Sequence, residues 1–308
     1  MGTAELACAS LTALFQEPDF NVVAVVTQPD RPKGRDLKLQ PSPVKEVAWG
    51  LGLPVWQPER ARNEDFVAEM RELEPHLIVV TAYGQILRPS LLELPPFGCL
   101  NVHTSLLPKY RGAAPIQWAI LNGDAETGVT IMKMDAGLDT GPILTQAVTP
   151  IRPEDDSQTL HDRLAGMGAE LLVPTVKRVV AGTITAQVQP AEGASHARKI
   201  VKEDGCLHWN LPAVALWNRL RAFTPWPGVF THLPEQPKPH LLKIWQAEVV
   251  SGVSGPVGEI LAIDKQGMVV GCGTGALRLL LVQREGGRRM AVREFLAGHH
   301  LQPGDRFV

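Results

Sequence analysis

Asn101 and His103 stand two residues apart at the end of the apolar run Cys99–His103, and Thr104-Ser105-Leu106-Leu107-Pro108-Lys109-Tyr110-Arg111-Gly112 follows. In a strand, residues i and i+2 point to one face, so an amide donor and a ring donor share the same spot. Two such donors can hold a carbonyl oxygen that gains charge as its carbon becomes tetrahedral. An isolated Asn-x-His pair more often satisfies nearby backbone, so it gains meaning only beside a third group. The segment Met134-Asp135-Ala136-Gly137-Leu138-Asp139-Thr140-Gly141 offers one, in a tight acidic loop that also follows a strand. Asp139 either accepts a hydrogen bond from a catalytic group or relays a proton through water. An Asp beside Gly is also a common turn former.

The elements that must position these groups alternate. Apolar, β-branched runs at Asn21–Thr27, His76–Thr81, Cys99–His103 and Thr127–Met134 read as strands. Helix-like stretches lie at Glu5–Gln16, Pro43–Gly50, Glu64–Leu73 and Asp156–Ala181. Such alternation predicts an α/β unit, a mostly parallel sheet with helices on both faces, over residues 1–182. Ligands sit at the carboxyl ends of strands in such sheets. Residues 183–197 read as a linker. In 198–308 a helix-like stretch, Leu211–Ala222, precedes short strands separated by Gly, Asp and Pro turns. That pattern predicts a small β-barrel.

The chain has 308 residues, 44% hydrophobic and 20% charged, which suits two ordinary globular domains. No stretch approaches the roughly 18 unbroken apolar residues of a membrane span. The N-terminus lacks a signal-peptide pattern, so the expected compartment is the cytoplasm, with no membrane partner. The four cysteines are widely spaced and the histidines form no metal-ligand pattern, so no metal is expected. Net charge is −2, unevenly spread. Residues 1–182 hold 16 basic and 22 acidic side chains, a net −6, and the remainder holds 14 and 10, a net +4.

With these residues in view, the first part resembles the 10-formyltetrahydrofolate-dependent formyltransferases. Their signature Asn-x-His-x-Ser-x-x-Pro with a later Asp reads here as Asn101, His103, Ser105, Pro108 and Asp139. The similarity extends over Thr27–Arg35, Ser42–Lys45, Ser105–Gln117, Gly128–Met132, Asp135–Gly141 and Ala222–Pro227, nearly the whole chain. It implies a Rossmann-like domain followed by an OB-like barrel. It also implies catalytic roles for Asn101, His103 and Asp139, and 10-formyltetrahydrofolate as formyl donor. The wording of these segments points to the branch that formylates the α-amine of methionine on initiator tRNA, in translation initiation.

The same resemblance implies that Ser105, Leu106, Leu107 and Pro108 line the folate pocket. Tyr83, Gly84, Asp135 and Gly137 would complete a slot for its flat ring. Residues 29–45 carry Arg31, Lys33, Arg35, Lys38 and Lys45 against Asp30 and Asp36. With four prolines, this segment is expected to form neither a strand nor a long helix. It suits an acceptor stem, and Arg35 takes the family position that contacts the acceptor end. In the second part Arg198, Lys199, Lys202, Arg219, Arg221, Arg284, Arg288 and Arg289 are candidates for RNA-backbone contacts. A monomer is expected.

One departure stands out. The family opens with an apolar strand before a Gly-Thr turn, whereas Met1 here directly precedes Gly2-Thr3. The expectation is a first strand lost by truncation of about six to eight residues. Rival readings are a formyltransferase for small amines, a formylfolate hydrolase and a non-catalytic tRNA-binding module. A nicotinamide-dependent oxidoreductase finds no Gly-rich fingerprint near the N-terminus.

Overall fold

The computed structural model describes residues 1–33, 38–233 and 240–307. It divides into two compact units. The first comprises Met1–Pro115, Glu126–Pro150 and His161–Arg198, and the second Ile116–Ala125, Ile151–Leu160 and Lys199–Val308.

The first unit runs α1 (Leu6–Gln16), β1 (Val25–Val26), β2 (Arg31–Lys33), β3 (Lys38–Gln40), α2 (Pro43–Gly50), β4 (Val55–Trp56), α3 (Glu64–Glu72), β5 (Ile78–Val80), α4 (Pro89–Leu92), β6 (Cys99–His103) and β7 (Arg111–Gly112). After α5 (Pro115–Leu121), nearly all of which belongs to the second unit, come β8 (Glu126–Lys133), β9 (Ile143–Pro150), α6 (Ser157–Val180), whose first turn also belongs to the second unit, and β10 (His196–Ala197). β4 pairs parallel with β1, and β5 with β6, while β8 and β9 continue the sheet antiparallel. Between β1 and β5 lies the main chain of Met1 and Gly2. Gly2 N–H donates to Val26 O (2.9 Å), the Met1 amine to Val79 O (2.7 Å), and Thr81 N–H to Met1 O (3.0 Å).

Alternation along β1 explains the two-sided covering. Val25 joins Ala7, Leu11, Val44 and Ala48 of α1 and α2. Its neighbour Val26 joins Phe66, Val67, Met70, Leu91 and Leu92 of α3 and α4. Consecutive strand residues face opposite ways, so each valine roots one layer. α2 begins where its sequence dictates. Ser42 Oγ accepts the Lys45 N–H (3.1 Å) and Pro43 fills the first turn, a capped start with a pre-set φ. α6 buries Leu160, Leu164, Leu172 and Val176 at four-residue intervals. At Gly168, in the same row, a Cβ would lie 2.9 Å from Val102 Cγ1, so the helix crosses β6 closely there.

The second unit carries α7 (Ala213–Phe223), β11 (Val229–Leu233), β12 (His240–Val250), β13 (Ile260–Ile263), β14 (Met268–Gly271), β15 (Ala276–Arg284), β16 (Met290–Ala291) and α8 (Val292–Leu296). Its strands form one antiparallel sheet in the order β11-β12-β15-β14-β13, with β16 on β15. Among the described residues the pairing runs from β11 to β13 without closing on itself, so the expected barrel is observed as an antiparallel sheet. α7 packs on β11, β12 and β15. Trp209 stacks on Phe307 at 5.7 Å and donates to Thr231 Oγ1 at 2.9 Å. No helix among the described residues is long and apolar enough to cross a membrane.

One expectation is corrected here. Residues 31–33 and 38–40 pair antiparallel as a short hairpin, although strands were not expected so close to four prolines. Pro32 pairs with Leu39 in a ribbon of only these two strands, and an edge position tolerates a residue without an N–H.

Candidate active site

β6 lies between β5 and β8, opposite Val80, Met132 and Thr130. All five of its residues are buried. Asn101 and His103 share one face near its carboxyl end, as their spacing predicts. Asp139 arrives from the β8–β9 connection. Its Oδ1 accepts from Asn101 Nδ2 (3.2 Å) and its Oδ2 from Gly112 N–H (2.8 Å). His103 Nδ1 lies 3.7 Å from Oδ2, beyond a hydrogen bond and within ion-pair distance. The three side chains expected to act together therefore meet.

His103 Nε2 lies 2.9 Å from the Tyr110 carbonyl. A carbonyl only accepts, so Nε2 carries a proton and Nδ1 is the nitrogen turned to Asp139. Expectation and structure differ in this detail, because the Nε2 donor is spent on Tyr110. Of the two sequence-matched donors, the one left for a substrate oxygen is on Asn101. One of its two amide hydrogens goes to Asp139, and no described residue claims the other.

The turn after β6 is built from polar groups that sequence reasoning missed. Thr130 Oγ1 donates to Ser105 O (2.6 Å) and accepts from Leu107 N–H (3.1 Å) and Gln146 Nε2 (2.9 Å). Gln146 Nε2 also donates to Leu107 O (3.0 Å). Leu107–Pro108 is cis. Ser105 Oγ closes the turn on Lys109 O at 2.6 Å. Both lie inside strands. Thr130 falls in the family-like segment Gly128–Met132 and Gln146 in none of the segments read, and strand register is what shows the role of each.

Residues 187–197, expected as part of a linker, run back over this turn. Gln187 exchanges both main-chain bonds with Ile143 (2.7 and 2.8 Å). Ser195 Oγ accepts Tyr110 N–H (3.0 Å), and β10 pairs parallel with β7. Gln189 is buried between Arg111 and the Asp139 loop. The small, polar composition that suggested a linker also suits a strap held by backbone bonds.

The residues expected to form the folate slot separate into two groups. Leu107 packs into a core with Met132 and Ile143, and the Tyr83 ring is buried among Phe66, Met70 and Leu87. Burial pushes the Tyr83 phenol up to about 12. Tyr83 can therefore reach a ligand only through its main chain, and its carbonyl already holds Thr3 Oγ1 (2.9 Å) and Gln28 Nε2 (2.7 Å). Gly84 has φ +80°, and a Cβ there would meet Gln28 Nε2 at 2.6 Å. Asp135, Gly137 and Leu138 are exposed, while Leu106 and Pro108 are partly exposed. Asp135 Oδ1 accepts from Gly137 N–H (3.0 Å) and Thr140 Oγ1 (2.7 Å), shaping the loop from within.

Gly141 closes that loop against β8. A Cβ there would lie 1.8 Å from Lys133 O. Gly141→Ala is expected to force the Asp139 loop off the sheet. Overpacking of this kind costs about 1–3 kcal/mol. Thermal denaturation alongside an activity assay checks it, and an unchanged melting point with full turnover would contradict the close approach.

Arg31 and Lys38 are exposed on the β2–β3 hairpin, and Lys199 and Lys202 on the second unit. Arg35 lies outside the described residues. Lys45 is spent elsewhere: its Nζ contacts Asp30 Oδ2 at 2.7 Å and lies 4.7 Å from the Trp49 ring. The Lys45 and Gln57 hydrogen bonds hold the Asp30 carboxyl below its usual range. A folded-state pKa held down in this way contributes stability above the unfolded value, and that stability is lost as pH falls through the folded value. Lys45→Met is expected to raise the Asp30 titration midpoint and to shrink this acid-side loss. NMR titration of the carboxyl checks it, and an unmoved midpoint would assign the shift to Gln57 alone. Arg219 donates to Asp204 O, and Arg221 to Arg152 O, Asp155 O and Asn218 Oδ1. Both side chains are half-buried and already hold oxygens of the second unit.

An open groove of about 540 Å³, lined by Arg71, Glu74, His76 and Glu93 among others, lies at the amino end of β5, the opposite end of the sheet. The Asn101–His103–Asp139 group does not reach it.

Comparison with known proteins agrees with this geometry. Residues 1–176 match the formyl transferase family and residues 199–300 its C-terminal domain family. The methionyl-tRNA formyltransferase of Geobacter metallireducens is 48% identical over 99% of this chain and 96% of its own length. That of Myxococcus xanthus is 50% identical over 99% and 96%. Among solved structures, the N-formyltransferase from Helicobacter canadensis, in complex with folinic acid and dTDP-3-aminofucose, shares the fold. Its TM-score is 0.64 at 20% identity, over 90% of this chain and 96% of that one. From end to end, the chain belongs to the formyltransferase family, in its methionyl-tRNA formyltransferase branch.

Proposed function

We propose that this protein transfers the formyl group of 10-formyltetrahydrofolate to the α-amine of methionine on initiator tRNA, in the cytoplasm, supporting translation initiation. The observation that carries the chemistry is the convergence of Asn101, His103 and Asp139. The full-length likeness to methionyl-tRNA formyltransferases carries the choice of amine.

The uncommitted amide hydrogen of Asn101, beside a carboxylate at the end of a buried strand, fits a formyl oxygen. The folate supplies a one-carbon unit on a nitrogen leaving group. A free α-amine has a pKa of about 7.7–8.0, so a sizeable neutral fraction exists near neutral pH. As that amine attacks, Asn101 donates to the oxygen that gains charge. The attacking nitrogen must then lose a proton. Asp139 spends one hydrogen bond on each oxygen, leaving lone pairs to take that proton directly or through water. His103, held by the Tyr110 carbonyl, keeps Nδ1 beside Asp139, in place to pass a proton toward the leaving nitrogen.

In this reading the turn from Ser105 to Pro108, with Gly84 and the Asp135–Gly137 segment, borders the folate. Leu107 and Tyr83 support it from the core. Arg31, Lys33, Arg35, Lys38, Lys199 and Lys202 meet the RNA backbone, where contacts orient without reading sequence. The long β12, with its register shift near Gln246, suits an OB-like bend in the second domain. The division at 1–182, 183–197 and 198–308 and a monomeric state belong to the same reading.

The test is formyl transfer from 10-formyltetrahydrofolate to charged initiator tRNA, beside the deacylated tRNA and an amino-sugar nucleotide. Modification of the methionyl ester alone is expected. Transfer only to the small amine would reject the proposed acceptor, and RNA binding without transfer would reject the enzyme.

A further inference from the structure

We infer that Gln189 is a positioning residue for this reaction, holding the Asp139 carboxylate beside Asn101 and His103 through the main chain of its loop and itself oriented by Arg111. The inference rests on the functional reading above and extends it to a residue outside the Asn-x-His signature and the acidic loop.

Gln189 Nε2 donates to Asp139 O (2.8 Å) and to Gly141 O (2.7 Å). Its Oε1 accepts from Arg111 Nε (3.0 Å) and from the Arg111 Nη2 atom (2.7 Å). An amide has two donor hydrogens and two acceptor lone pairs, and all four are used. A flipped amide would set its oxygen against two carbonyls and its nitrogen against a guanidinium, so the orientation is determined by its partners.

The need for such a clamp is visible at Asp139. Its φ is +53°, a left-handed conformation that side-chain-bearing residues adopt rarely and keep only where the surroundings impose it. Gln189 ties the carbonyls on either side of Thr140 to one nitrogen and so pins that conformation. The carboxylate at the other end of Asp139 is thereby aimed at Gly112 N–H, Asn101 and His103. Gln189 is almost fully buried and reaches none of the reacting groups. It is anchored on either side, by Gln187 on Ile143 and by Ser195 on Tyr110 and Arg111. Arg111 sits on β7, directly before Gly112, so the clamp joins the segments that deliver Asp139 and Gly112, two of the four groups that meet.

The experiment measures single-turnover formyl transfer to Met-tRNA with enzyme in excess, for the wild type, Gln189→Met, Gln189→Glu and Arg111→Met. Steady-state KM values and melting temperatures accompany it. Under these conditions a merely destabilised enzyme keeps its rate constant and loses only amplitude. Gln189→Met, of similar size but without donors, is expected to lower the rate constant by about 10- to 100-fold, because a misplaced catalytic group costs rate steeply. Both KM values should stay within about threefold, since uniform binding is untouched. Gln189→Glu keeps the Arg111 contact and loses the donors, so it should behave alike. Arg111→Met frees the amide to turn and should cost less. If Gln189→Met fails to fold, the other two variants read the same clamp. Rate constants within threefold of a fully active wild type in the folded variants would overturn the inference. A wild type that formylates no amine would instead remove the functional reading and this inference with it.

Discussion

Asp139→Asn should lower the rate constant for formyl transfer by about 10²–10³-fold, within the range assigned to a positioned acid–base group. The carboxylate accepts Asn101 Nδ2 on one oxygen and Gly112 N–H on the other. An asparagine keeps one acceptor and replaces the other with a donor. If its oxygen faces Gly112, two amide nitrogens confront each other at Asn101. If it faces Asn101, its nitrogen confronts the Gly112 N–H. Either a donor is left unpaired, which costs about 1–3 kcal/mol where it is buried, or the Asn101 amide turns over and loses the donor that faces the formyl oxygen. The variant also lacks a base for the proton that the attacking amine must shed. Rate and geometry should therefore fail together. Single-turnover kinetics and a thermal melt check it, and a rate constant within threefold of wild type would show that the proton leaves by another route.

His103→Ala should cost a comparable factor, about 10²–10⁴ in turnover. The pattern differs, because His103 touches protein on both edges. Its Nε2–H satisfies the Tyr110 carbonyl at 2.9 Å, so truncation also orphans that oxygen. Tyr110 holds φ +62° and is tied by its own N–H to Ser195 Oγ. A modest fall in melting temperature is therefore expected beside the loss of turnover. Since the ring makes its contribution as charge moves, KM should change little while turnover collapses. His103→Gln, which can still donate to the Tyr110 carbonyl, separates the two effects. It should recover melting temperature and not activity. Recovered activity in that variant would mean that the ring serves only to hold the loop.

Much of this site was legible because strand periodicity is a local property. The apolar run Cys99–His103 became β6 with the boundaries read from sequence, and alternation put Asn101 and His103 on one face. The cap at Ser42-Pro43 likewise set the start of α2. The reading was weaker where long-range pairing decides. Val25 and Val26 alone remain strand from the predicted run Asn21–Thr27, since only these residues find a ladder in β4. The strand Ile143–Pro150 went unnoticed because its polar positions blur the pattern, and pairing with β8 is what makes it extended.

The sequence by itself determined which side chains can do chemistry, which strand end presents two of them, and the family they belong to. Tertiary structure decided how those groups are held. It turned His103 Nε2 to a carbonyl, sent the Tyr83 ring and Leu107 into the core, and joined Lys45 to Asp30. It also brought Gln189 to a loop fifty residues earlier in the chain. The reason is range. Periodicity and capping act within a few residues, and sequence displays them directly. A buried polar group finds its partners wherever the fold brings an unpaired donor or acceptor near, and no spacing along the chain encodes that meeting.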